Sequence, residues 1–122
     1  MDERIRESTA GDAVLLRVNP GVCGLDCFVR ARLVGKRQVA AEILESECAK
    51  VRALGEQLSH LTLVQLLAPV GDNPVYEAAH DAGLHPSCIL PAAILKACES
   101  ALGLAVPCDA GLVFYSSGKK GE

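Results

Sequence analysis

Leu25-Asp26-Cys27-Phe28-Val29-Arg30-Ala31-Arg32-Leu33, then Val34-Gly35-Lys36-Arg37, then Gln38-Val39-Ala40-Ala41-Glu42-Ile43-Leu44, is the stretch on which the fold turns. In its first part Leu25, Cys27, Val29, Ala31 and Leu33 face one way, and Asp26, Phe28, Arg30 and Arg32 the other. The glycine at 35 turns the chain, and Val39, Ala41 and Ile43 again share a face. Upstream, residues 12–19 alternate too, with Val14, Leu16 and Val18 aligned. Period-2 patterning broken by short glycine turns predicts an antiparallel meander with one buried face.

The period changes after Leu44. Ser46 is a good N-cap, and Cys48, Val51, Leu54 and Leu58 recur at helical spacing. Leu61 to Ala68 is an apolar run that fits a helix and a buried strand equally. Asn73-Pro74 is a cap followed by an N1 proline, predicting a helix that carries Val75, Ala78, Ala79 and Ala82 and stops at Gly83. A third helix is expected from about Leu90 to Leu102, stopping at Gly103. It is almost wholly apolar, so it is expected at the centre of the core. Leu112, Val113 and Phe114 read as a closing strand. The order is then β-β-β-α-α-α-β, an α+β fold with a mostly antiparallel sheet and helices packed on one face. Residues 1–10 read as a polar tail, 11–115 as one domain and 116–122 as a flexible tail.

The chain has 122 residues, a net charge of −3, two Phe, two Tyr and no Trp, so its core is aliphatic. Without a basic stripe or stacking aromatics, nucleic acid is not expected as a partner. No run reaches the roughly 20 apolar residues of a membrane helix, and no membrane partner is expected. The charged opening Met1-Asp2-Glu3-Arg4-Ile5-Arg6-Glu7 does not read as a signal peptide, and a reducing cytoplasmic setting is expected. A protein partner or a homodimer is left open.

In that setting six cysteines point to metal binding or catalysis more than to disulfides. Cys27 lies on the apolar strand face, and Cys98 lies a turn from Leu95 and Leu102, so both read as core. Cys108 follows Pro107 and stands open between exposed bystander and site member. Cys23, Cys48 and Cys88 differ, because each falls at a chain reversal. Cys23 lies in Pro20-Gly21-Val22-Cys23-Gly24, Cys48 after Ser46, and Cys88 in His85-Pro86-Ser87-Cys88-Ile89-Leu90-Pro91. Turns and helix N-termini present free backbone N–H groups, which favour a thiolate over a thiol. Three thiolates at one corner would hold a thiophilic metal ion or an iron–sulfur cluster, with His85 as a further ligand.

The other polar candidates have structural readings. His60 and His80 read as surface residues, Asp72-Asn73 as turn and cap, and Lys96 with Glu99 as a pair on a helix stripe. No phosphate loop, nucleophile elbow, zinc-protease helix or dinucleotide fingerprint is present.

The Gly21-Val22-Cys23-Gly24 turn, the Ser46-Glu47-Cys48 helix start and Cys88-Ile89-Leu90-Pro91 ahead of an apolar helix resemble, together, a family of small uncharacterised proteins of anaerobic bacteria and archaea. The resemblance covers most of residues 14–115 and implies that Cys23, Cys48 and Cys88 are the shared cysteines. It implies no activity. The Cys-x-x-Pro start is also similar to that of small sulfur carriers, which use Cys-Pro-x-Pro; here residue 89 is Ile.

Three readings follow. The first is a metal or iron–sulfur protein that binds, senses or transfers electrons through Cys23, Cys48 and Cys88. The second is a thiol-based redox or sulfur-carrier protein using Cys88 or Cys48. The third is a structural or interaction module whose cysteines are inert.

Overall fold

The computed structural model describes residues 13–19, 26–44, 49–55 and 57–115. Strands β1 (Val14–Val18), β2 (Cys27–Gly35), β3 (Gln38–Leu44) and β4 (Leu61–Thr62) form one antiparallel sheet in the order β1-β2-β3-β4. Helices α1 (Ala49–Gly55), α2 (Leu63–Leu66), α3 (Pro74–Ala82) and α4 (Leu90–Ala101) complete an α+β fold.

The alternation sets the sheet's two faces. Val18 stands opposite Cys27 and Leu16 opposite Val29, while Ala31 faces Val14 on one side and Ala41 on the other. This face is the buried one, holding Val18, Cys27, Val29, Ala31, Val39 and Ala41. Helix α4 covers it, packing on β1, β2 and β3 and burying Leu90, Pro91, Ile94, Ala97 and Cys98. The small side chains at 31 and 41 let the helix approach closely, and fully buried Leu54, Leu58 and Val75 fill the rest. On the opposite face Arg30 and Glu42 are direct cross-strand partners, with Arg30 Nε donating to Glu42 Oε1 at 2.8 Å. This pair and Arg17–Asp26 are the ion pairs among the described residues, so Lys96 and Glu99 do not form the expected one.

The ambiguous run after Leu61 divides. Two residues join the sheet as β4, and Thr62 then starts a single helical turn. Its hydroxyl accepts from Gln65 N at 3.2 Å, while Gln65 Oε1 accepts from Thr62 N at 2.9 Å, a reciprocal capping box. Asn73 caps α3 as expected, and Gly83 ends it in the left-handed region at φ 82°. Gly103, at φ 78°, follows the end of α4 in the same way, and Leu104 N donates to Glu99 C=O at 2.9 Å.

Two expectations are corrected. Leu58 is not helical: α1 ends at Gly55, and a tight turn carries Leu58 into the core. Its carbonyl accepts from Ala41 N at 2.8 Å, so the residue serves the sheet rather than extending the helix. The closing strand over Leu112, Val113 and Phe114 is not formed. These residues lie exposed outside any strand, because β-propensity needs a partner edge, and the chain does not return to its own sheet here.

Candidate functional site

Cys88 is half-buried two residues ahead of α4 and packs against the edge of the core. Its N–H donates to the carbonyl of His85 at 3.1 Å, closing a turn over His85-Pro86-Ser87-Cys88 with proline at the second position, where its fixed φ suits a turn. Ile89 then caps α4 with no side-chain hydrogen bond, and its carbonyl accepts from Ala93 N at 3.1 Å. The thiol thus stands beside a helix start whose first-turn N–H groups have no side-chain cap. His85 is exposed, and its Nδ1 lies 3.3 Å from Ser87 Oγ.

Two of the remaining described cysteines lie where the periodicities predict. Cys27 is buried on the inner sheet face. Cys98 is fully buried on α4. Burial, with a smaller contribution from the charge of Glu99, pushes its thiol up from 9.0 to about 12, so it stays protonated and chemically quiet at neutral pH. Cys108 is exposed, a free thiol at the surface, as His60 and His80 are exposed imidazoles.

Cys23 and Cys48 lie outside the described residues. The residues on either side of them are described. Val18 pairs with Cys27, and Phe28 with Leu44, so the end of β1, the start of β2 and the end of β3 share one end of the sheet. The connection carrying Cys23 joins the first two, and the connection carrying Cys48 leaves the third. At the start of α1, Lys50 lays its stem over Gly83, with Cε 3.8 Å from where a Cβ on that glycine would sit. Gly83 opens the segment that leads to His85 and Cys88. The Lys50–Gly83 contact has no signature in the sequence; the helical pattern simply puts Lys50 outside. Among the described residues, no three His, Cys, Asp or Glu side chains form a group that could hold a metal ion. Among them, too, no helix is long and apolar enough to cross a membrane.

The chain belongs to a family of unknown function, DUF6951, which matches residues 14–114. No curated protein and no solved structure gives a significant match. The matched span takes in β1 to β4, α1 to α4 and each of the six cysteines.

Proposed function

We propose that this chain is a small cytoplasmic protein that holds a thiophilic metal ion or an iron–sulfur cluster through Cys23, Cys48 and Cys88, with His85 as a candidate fourth ligand. The support for the reading is where the described flanks of the three cysteine-bearing segments lie. Two spring from one end of the sheet, and the third begins at Gly83, against the first turn of α1. Thiolates are soft ligands suited to zinc, copper(I) and iron–sulfur centres. Ligands about 2.3 Å from one ion bring their sulfurs within about 4 Å of one another. The role is binding, sensing or electron transfer rather than catalysis, and the recurring cysteine motifs and an anaerobic setting belong to the same reading. Serine at 23, 48 or 88 is expected to abolish metal retention after anaerobic purification, while Cys108→Ser retains it. Equal metal content in all four variants contradicts the proposal.

The uncapped start of α4 beside a half-buried thiol favours a second reading, in which the Cys88 thiolate takes the outer sulfur of a donor persulfide, releasing the donor's thiol, or attacks an electrophile, with Cys48 as the other candidate. Under that reading one of the two alkylates far faster than exposed Cys108 at neutral pH. Equal rates at all three rule it out.

A further inference from the structure

After α4 the chain runs through twelve residues, 104–115, that carry one charge, Asp109. Leu104, Val106, Leu112, Val113, Phe114 and Tyr115 are all exposed, Phe114 at 98 % and Tyr115 at 92 %. Those two rings are half of the chain's four aromatic side chains. Beyond Leu104 no backbone N–H of this arm makes a turn, loop or ladder hydrogen bond among the described residues. Leaving so contiguous an apolar stretch in water is the mark of an interaction surface.

In the sheet, β1 is an edge strand, paired among the described residues with β2 alone. Its sequence, Val14-Leu15-Leu16-Arg17-Val18, has no proline, and its one charge is engaged with Asp26. An edge of this kind lacks the usual devices that discourage pairing with another chain. Among the described residues the chain therefore presents a five-residue open edge and, over residues 112–115, a segment of high β-propensity without a ladder.

We infer that the occupant of each edge is the arm of a second copy. The two chains exchange residues 111–115 reciprocally across a twofold axis, each arm adding a strand beside the partner's β1. Twelve extended residues reach about 40 Å, enough to cross to a neighbouring molecule. Adjacent strand residues point to opposite faces, so each arm buries one of its two rings, and the pair removes about 300–500 Å² of ring surface from water. Leu104, Val106, Leu112 and Val113 on each of the two arms bring the interface toward the roughly 1,000 Å² at which a specific one begins. The low net charge of −3 opposes association only weakly.

The test is sedimentation equilibrium of the full chain in reductant, which removes any Cys108 disulfide, combined with amide hydrogen exchange at low and high concentration. Expected is a concentration-dependent dimer in which both β1 and residues 111–115 gain protection. Val113→Pro removes a ladder donor and Phe114→Asp a buried ring, and each weakens the dimer by at least about tenfold. At concentrations low enough for the parent chain to be monomeric, circular dichroism is the same in parent and variants, since the arm lies outside the core. A chain that stays monomeric at about 100 μM, far above ordinary dimer affinities, overturns the proposal. So does a dimer that Val113→Pro leaves intact, or one in which the arm is protected and β1 is not.

Discussion

Asn73 is the buried polar side chain among the described residues, 2 % exposed, and it spends every group it has. Oδ1 accepts from Val75 N at 3.0 Å, and Nδ2 donates to the carbonyls of Leu66 and Ala68, both at 3.1 Å. The one residue caps α3 and closes the end of α2. Asn73→Ala is expected to lower stability by about 1–3 kcal/mol in urea denaturation, because the cap is lost and carbonyls are left unpaired. Asn73→Asp is expected to cost at least as much despite being a good cap, since a carboxylate cannot donate to those carbonyls. Cys98 gives a pH prediction. Its folded thiol titrates near 12 against 9.0 in the open chain, so the unfolded state releases the proton first. The stability tied to this group is complete below pH 9.0 and is lost as pH rises toward about 12. The fall in urea midpoint between pH 9.0 and about 11 should be shallower in Cys98→Ala than in the parent chain.

At the level of elements, α4 carries the core. Ile94 is wholly buried on the helix that covers β1, β2 and β3, and Ile94→Ala is expected to cost about 2–5 kcal/mol by thermal or urea unfolding. Gly83 sits at φ 82°, a conformation in which a side chain is strained, so Gly83→Ala should cost about 1–2 kcal/mol. These elements were legible because their periods are clean: alternation from Cys27 to Leu44, and apolar spacing from Leu90 to Leu102. Local chemistry marked the caps at Asn73, Gly83 and Gly103. Thr62-x-x-Gln65 was a readable signal as well, since that capping box divides the run after Leu61. Leu58 misled because helical spacing continues past the point where Gly55 ends the helix. Leu112 to Phe114 misled because strand propensity says nothing about where a partner strand is.

For the whole molecule, the reading depends on distant segments meeting, which periodicity does not encode. The antiparallel order of β1, β2 and β3 is legible, and it brings the flanks of Cys23 and Cys48 to one end of the sheet. That α3 ends against Lys50 of α1 is a tertiary fact with no local signature. The cysteines assigned to the core, Cys27 and Cys98, were recognisable from the strand face Cys27 shares with Val29 and from the turn that separates Cys98 from Leu95 and Leu102. Exposed Cys108 was not decidable from its neighbours. The most direct test of the three-cysteine site is the metal content and visible absorption of the full chain, purified anaerobically and then offered iron with sulfide, or zinc. Stoichiometric metal or a cluster chromophore that is missing from the Cys23→Ser, Cys48→Ser, Cys88→Ser triple variant is the predicted result. A colourless, metal-free chain after both treatments contradicts it.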